Sequence, residues 1–157
     1  MASRIPATPI VINNFITIRL NAENYLYWRT QVVPILRSNL IYGFVDGTLA
    51  CPDAEIPNPE YKTKESQEPA TIPNLKYGAW HQQDQAILSA IVSSLTEGVI
   101  GMVMLATTSQ EAWEMLEGSC ATQSTSRVMQ LRTALSKCKK LDKTATAYFT
   151  EIKALAD

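Results

Sequence analysis

The sequence contains few of the residues that catalysis and metal binding require. His81 is its only histidine, so no HxxxH or HExxH pair exists to hold a catalytic zinc ion. The motifs GxSxG, GxGxxG and GxxxxGKS/T, which mark many hydrolases, dinucleotide-binding proteins and P-loop proteins, are absent. The acidic residues are scattered and form no pair of the kind that a glycosidase needs. We therefore expect no enzyme, no metal, no cofactor and no small-molecule substrate.

Cysteine is also scarce. Cys51, Cys120 and Cys138 are odd in number and far apart, and no CxxC motif occurs, which argues against a zinc ribbon or a redox-active pair. A cysteine nucleophile needs a histidine base close in space. We expect none, because Cys51 falls in a predicted loop and the other two fall on apolar helix faces. Reduced thiols in a cytosolic protein are the plainer interpretation.

Long apolar runs are missing as well. No stretch approaches the roughly 20 residues that a bilayer span needs, and the N-terminal MASRIPATPIVINN lacks the apolar core of a signal peptide. Met1 is not followed by the glycine that myristoylation requires. We expect a soluble, cytoplasmic protein with no membrane partner.

The net charge of −1 conceals an uneven distribution. Residues 122–157 contain seven basic and three acidic residues, a net charge of +4, which leaves −5 for residues 1–121. Basic side chains along one helix can neutralise RNA phosphates, although a solvated helix face is the commoner explanation of such a run. The candidate RNA contacts are Arg127, Arg132, Lys137, Lys139, Lys140 and Lys143.

Hydrophobic periodicity predicts an all-α fold. Residues 1–14 are expected to form a flexible arm, because two prolines block a helix there. The segment FITIRL at 15–20 is expected to run extended along the helices rather than in a sheet. Asn21 is predicted to cap the first helix, which Pro34 should kink. Residues 48–74 contain five prolines and predict a mobile surface loop.

Helical patterns dominate from residue 75 onward. A helix of about five turns should place His81, Gln83 and Asp84 on its polar side. Residues 99–105 predict a short buried helix, and Thr108 with Glu111 forms a capping box for the next one. The polar stretch ATQSTS at 121–126 predicts a break before two further helices. The apolar stripe of the five-turn helix comprises Trp80, Ile87, Leu88, Ile91 and Leu95.

Four aromatic residues stand out on these apolar faces. Their helical spacing among aliphatic residues favours packing in the core over stacking on nucleotides or on a ligand. The candidate core anchors are Tyr25, Trp28, Trp80 and Trp113.

Four segments resemble, in order, the Gag polyprotein of plant copia-type LTR retrotransposons: NAENYLYWRTQVVPILRSNLIYGFVDGTLACP, AWHQQDQAILSAIVSSL, TSQEAWEMLEGSCATQSTSRVMQLRTALSKCKK and YFTEIKALAD. The resemblance implies a capsid-like helical bundle that self-associates into a shell around retrotransposon RNA. Residues 15–121 would form the N-terminal lobe and residues 122–157 the start of a truncated second lobe. Because the zinc knuckle, protease, integrase and reverse transcriptase are missing, we expect a fragment or a truncated Gag remnant, with weak RNA binding.

Apolar faces on the last two helices would then need a partner, either the first lobe or a second copy. Because burying one large apolar side chain stabilises by roughly 1.5–3 kcal/mol, we expect a homodimer or larger assembly of two-fold type. Two alternatives stay open: an RNA-binding module using the basic helix 127–143, or a domesticated remnant that joins full-length Gag and interferes with its assembly. The expected self-association residues are Val128, Leu131, Leu135, Phe149, Ile152 and Leu155.

Overall fold

The computed structural model describes residues 8–61 and 69–137, together with residues 150 and 153. The described chain is mostly helical, which agrees with the predicted all-α class. Its α-helices are α1 (Tyr25–Ser38), α2 (Leu75–Ser93), α3 (Glu97–Ile100) and α4 (Ser109–Lys137). Short 3₁₀ helices span Asn13–Phe15, Tyr42–Phe44 and Gly101–Val103, and two strands, β1 (Glu55–Pro57) and β2 (Thr71–Pro73), form one antiparallel pair.

One apolar core lies between α1, α2 and α4. Trp28 is at its centre, fully buried, with its ring centroid 5.4 Å from that of Trp113 and 6.1 Å from that of Tyr25. Trp80 packs beside Phe44, with ring centroids 5.4 Å apart. All four candidate anchors are buried, so the aromatic side chains serve packing within the described chain.

The start of α1 differs from the prediction. Asn21 is not the cap, because the helix begins only at Tyr25 and Asn24 holds the capping position. The Asn21 side chain instead accepts hydrogen bonds from the amides of Glu23 and Asn24, and Asn24 Oδ1 accepts one from the Asn21 amide. These bonds form a turn before the helix. Pro34 lies inside α1, which continues to Ser38.

The predicted break at residues 121–126 is wrong. α4 runs without interruption from Ser109 to Lys137, so the expected boundary between the lobes falls within one helix. Ser124, counted as polar and loop-like, is fully buried, and its Oγ accepts a hydrogen bond of 3.2 Å from the amide of Leu26. That bond satisfies one of the first amides of α1, which have no acceptor within their own helix. A tertiary contact therefore overrides the local preference of the polar stretch.

The N-terminal segment contacts α2 from Ile10 onward, which corrects the flexible-arm prediction for residues 10–14; residues 1–7 lie outside the described chain. The Gln83 side chain accepts from the amide of Ile10 at 2.7 Å and donates to its carbonyl at 3.1 Å. Ile12 is fully buried. Gln83 is therefore buried and bonded to the backbone, although the sequence pattern places it on the polar side of its helix.

The segment at 15–20 is held at its end by the residues that follow α2. Leu20 forms an isolated parallel bridge with Leu95, in which its amide donates to the Ser94 carbonyl and its carbonyl accepts from the Thr96 amide. The Gln31 side chain holds the segment from the other side through the amides of residues 17 and 18. The segment thus lies along the helices, as predicted.

The predicted loop at 48–74 contains the strand pair that the sequence pattern misses. Ile56 pairs with Ile72, flanked by Glu55 with Pro73 and Pro57 with Thr71. Prolines lack the amide donor that a strand ladder uses, and they are confined to the edges of sheets. Because this short strand pair contains prolines, the sequence pattern does not predict it. Residues 62–68 lie outside the described chain.

The start of α4 confirms the predicted capping box. Thr108 Oγ1 accepts from the Glu111 amide at 3.2 Å, and Glu111 Oε2 accepts from the amides of Thr107 and Thr108 at 2.7 and 3.3 Å. These hydrogen bonds, chiefly those from Thr107, hold the pKa of Glu111 below its usual 4.5. The carboxylate also lies at the positive end of the helix dipole.

A charge-removing change at Glu111 should therefore alter the pH dependence of stability. Because its pKa is lower in the folded chain, Glu111 stabilises the fold fully above pH 4.5, and this contribution is lost as the pH falls through the lower, folded value. We expect Glu111→Gln to lower the melting temperature at neutral pH and the difference from wild type to shrink in acid. A difference that stays constant across a pH series of thermal melts would contradict this assignment.

Candidate functional site

The described residues contain no large cluster of metal-ligating side chains. Nowhere in the described ranges do three or more His, Cys, Asp or Glu side chains converge closely enough to hold a metal ion. No helix among the described residues is both long enough and apolar enough to cross a bilayer.

One pairing of reactive side chains was not expected from the sequence. Cys51 Sγ lies 3.7 Å from His81 Nε2, although thirty positions separate the two residues. Loss of solvent around the sulfur, followed by the negative charges of Asp84 and Asp53, raises the pKa of the Cys51 thiol. A nucleophilic cysteine needs a lowered pKa. The structure thus brings a thiol to a histidine but does not activate it.

Asp84, the polar neighbour of His81 in the sequence, has a structural position. It is fully buried, and its Oδ1 accepts from the Ser109 amide at 3.0 Å and from the Ser109 hydroxyl at 2.6 Å. Its Oδ2 accepts from Gln85 Nε2 at 3.2 Å. A carboxylate on α2 therefore caps the N-terminus of α4, where the helix dipole favours a negative charge.

The connection between α3 and α4 carries an apolar surface that we call the apolar ridge: Ile100, Met102, Met104 and Leu105. The sequence predicts a buried helix here, and this prediction is wrong in part. Only Val99 and Val103 are buried, whereas Met104 is 78% and Leu105 85% exposed. The segment folds as two short turns rather than one helix, so its apolar side chains point both into the core and out to solvent.

The second half of α4 lies over the start of α1. Val128 and Leu131 are half-buried and line a groove of about 290 Å³ together with Tyr27. Arg127 and Glu23 also line this groove, and they form an ion pair at 2.5 Å. Two of the expected self-association residues are thus partly covered by their own chain.

The other expected interaction residues are described only in part. Arg132 is exposed, and Arg127 is engaged by Glu23. Leu135 and Lys137 lie on α4, and nothing further is described of their side chains. The remaining expected contacts lie outside the described residues: Lys139, Lys140, Lys143, Phe149, Ile152 and Leu155.

The described chain is a mostly helical protein packed around one aromatic core. The family model of the gag-polypeptide of LTR copia-type elements matches residues 33–157. The chain belongs to this family.

Two curated relatives support the assignment. The chain is 33% identical over 130 residues, 83% of its length, to the "Retrovirus-related Pol polyprotein from transposon RE1" of Arabidopsis thaliana. It is 32% identical over 114 residues, 73% of its length, to the corresponding polyprotein from transposon RE2 of the same plant. The matched regions cover 8% and 7% of these relatives, so the chain spans less than a tenth of their length. No solved structure matches the chain.

Proposed function

We propose that this chain is a non-enzymatic structural subunit of a copia-type Gag that self-associates and contributes to a shell around the element's RNA. The family assignment supplies the structural Gag role. The observation that supports self-association is the apolar ridge, because four large apolar side chains within six residues are left exposed or half-exposed.

The ridge has the character of an interaction surface. Contiguous exposed apolar patches on otherwise well-packed proteins mark sites of contact with other molecules. Removing one large apolar side chain from water contributes roughly 1.5–3 kcal/mol, while association costs several kcal/mol in lost motion. A two-fold contact uses the same patch on both copies. In a dimer, the ridge of each copy would therefore be buried, and both would stabilise the contact. This favours a second copy as the partner of the ridge.

The second half of α4 remains our proposal for a further contact. Val128 and Leu131 are half-buried in the groove beside Tyr27 and still reach solvent. Because their own chain covers them in part, they offer less free apolar surface than the ridge does. We expect them to contribute less to association than Met104 and Leu105.

Changing Met104 and Leu105 together to glutamate should weaken self-association. Light scattering across a concentration series in the micromolar range should show a mass that rises with concentration for the wild type. In the double variant the dissociation constant should increase at least about tenfold, since each 1.4 kcal/mol corresponds to a factor of ten. Both side chains are highly exposed, so the fold should be unchanged.

A matched control replaces two exposed apolar residues elsewhere, Val11 and Leu40, with glutamate. It adds the same charge and should leave the concentration dependence of the mass as it is in the wild type. A second double variant, Val128→Glu with Leu131→Glu, measures how much these α4 residues contribute to self-association. A wild-type chain that stays monomeric at every concentration, or an equal response of ridge variant and control, would contradict the proposal.

Binding of RNA and interference with full-length Gag stay predictions. The ion pair between Arg127 and Glu23 leaves one fewer cation for phosphates. RNA affinity that is independent of salt concentration would exclude the first alternative, because phosphate contacts release counterions.

A further inference from the structure

Cys51 and His81 lie outside the apolar ridge and the groove beside α4. A cysteine thiolate and a histidine imidazole are both common zinc ligands. We propose that Cys51 and His81 form half of a zinc site, which a second copy of the chain completes as a tetrahedral site of two cysteines and two histidines. The second copy would meet this chain through a surface separate from the apolar ridge, so the zinc site does not depend on the ridge contact.

The distance between the two ligand atoms suits one shared ion. Zinc binds a cysteine sulfur at about 2.3 Å and a histidine nitrogen at about 2.0–2.1 Å, and a tetrahedral angle then places the two atoms roughly 3.6 Å apart. Cys51 Sγ and His81 Nε2 are 3.7 Å apart. In the metal-free chain the same distance suits a weak hydrogen bond between thiol and imidazole, so the separation of the two ligand atoms need not change when an ion binds.

Hydrogen bonds on both sides hold the cysteine segment against α2. The carbonyl of Leu49, two residues before Cys51, accepts from Trp80 Nε1 at 3.0 Å. The carbonyl of Asp53, two residues after it, accepts from Asn74 Nδ2 at 2.7 Å. The backbone on either side of Cys51 is therefore held against α2 by contacts that do not involve the thiol itself.

Two aromatic rings hold the histidine. The imidazole of His81 lies edge-on to Tyr77, with ring centroids 4.5 Å apart, and edge-on to Trp80 at 5.3 Å. Tyr77 lies one helical turn before His81 on the same face of α2. Two pre-positioned ligands lose little conformational freedom on binding, which favours metal capture.

The local charges favour a cation over a free thiolate. Asp53 and Asp84 are close enough to act electrostatically on the Cys51 sulfur. Without a metal, loss of solvent around the sulfur and then these carboxylates disfavour a negative charge on it, so the pKa of the thiol is raised. A divalent cation reverses the balance: the sulfur–hydrogen bond breaks, the proton goes to solvent, and zinc–sulfur and zinc–nitrogen bonds form.

A second copy is the partner that supplies the missing ligands. Structural zinc sites are almost always four-coordinate, and the described residues offer no third ligand beside the pair. Cys51 is exposed, and the first turn of α2 presents Leu75, which is 89% exposed, together with Tyr77. Two copies related by a two-fold axis would bring the two pairs together and surround the ion with apolar side chains. The ion would also offset the repulsion between the carboxylates of the two copies.

Metal titration of the full chain tests the proposal directly. Cobalt(II), a spectroscopic substitute for zinc, should give thiolate charge-transfer absorption that saturates at one ion per two chains, and zinc should displace it. Cys51→Ser and His81→Gln should each weaken binding at least about 100-fold, because loss of even a second-shell partner costs 10–100-fold. Cys138→Ser, which removes a thiol outside the pair, should bind like the wild type. Light scattering of the variant with Met104→Glu and Leu105→Glu, in which the ridge contact is weakened, should show zinc promoting dimers. The same variant carrying Cys51→Ser or His81→Gln should not respond to zinc.

The outcomes separate this proposal from the proposed function. Self-association that persists in a chelator and responds to the ridge variants, with no cobalt binding, would overturn the zinc site and leave the Gag role intact. Cobalt absorption retained in Cys51→Ser would overturn it as well, as would binding of one ion per chain without dimers. Circular dichroism of each variant confirms that loss of binding is not loss of fold.

Discussion

Replacing Trp28 by alanine is expected to lower the free energy of unfolding by about 3–5 kcal/mol, the range for truncating a large aromatic side chain in a packed core. For a domain with a total stability of about 5–15 kcal/mol, that loss would leave a substantial unfolded fraction. Urea unfolding followed by tryptophan fluorescence and circular dichroism measures it.

The expected size follows from the contacts of Trp28. The side chain is fully buried and lies between the rings of Tyr25 and Trp113. Its Nε1 donates a hydrogen bond of 3.0 Å to Ser94 Oγ, at the end of α2. Trp28 therefore joins α1 to both α2 and α4. Alanine would remove the ring contacts and the hydrogen bond together and leave a cavity among all three helices.

Two comparisons isolate this contribution. Tyr27 is the neighbouring aromatic residue on α1 and is 60% exposed, so Tyr27→Ala should change stability by no more than about 0.5 kcal/mol. Trp28→Phe keeps an aromatic ring but loses the bond to Ser94, and should cost an intermediate amount. Equal losses for Trp28→Ala and Tyr27→Ala would contradict the assignment of Trp28 as the central packing residue.

The sequence predicts such packing residues well because burial imposes a period on them. Trp28, Val32 and Leu36 recur at helical spacing and are all fully buried. The capping box of Thr108 and Glu111 is likewise local, since both partners lie within one turn. Features of this kind need only neighbouring residues for their recognition.

Polar residues are where prediction from the sequence fails. Ser124, Gln83 and Asp84 are all fully buried, and each binds a group far away in the chain. A serine in a polar stretch indicates a loop only when no distant amide needs its oxygen. The sequence does not predict the pairing of Cys51 with His81 for the same reason. That pairing depends on how the segment after α1 folds back against α2.

The apolar ridge illustrates the opposite error. A run of apolar residues predicts burial, yet only the valines at 99 and 103 are buried, while Met104 and Leu105 face solvent. The period of four between the two valines is typical of one buried helical face. The core of one chain therefore buries only the two valines of this segment. The apolar side chains that it leaves exposed are the physical basis of the proposed interface.

Replacing Asp84 by alanine is the second change with a large expected effect, a loss of about 2–4 kcal/mol. The substitution would leave the amide and the hydroxyl of Ser109 buried without an acceptor, and each unsatisfied buried donor costs about 1–3 kcal/mol. It would also remove a negative charge from the N-terminus of α4, the longest described helix. Thermal and urea unfolding should both show the loss.

A graded series distinguishes the hydrogen bonds from the charge. Asp84→Asn keeps an oxygen that can accept from Ser109, and removes the charge together with the oxygen that accepts from Gln85. It should therefore cost clearly less than Asp84→Ala. Glu111→Gln changes an exposed carboxylate at the same helix end and should cost least of the three. Because α4 packs against both α1 and α2, a weakened α4 start should appear in hydrogen exchange as faster opening of its first turns before the rest of the core. Equal losses of stability for Asp84→Ala and Glu111→Gln would show that the burial of Asp84 contributes nothing to stability. The contact between Asp84 and Ser109 would then not be the feature that fixes α4 to α2.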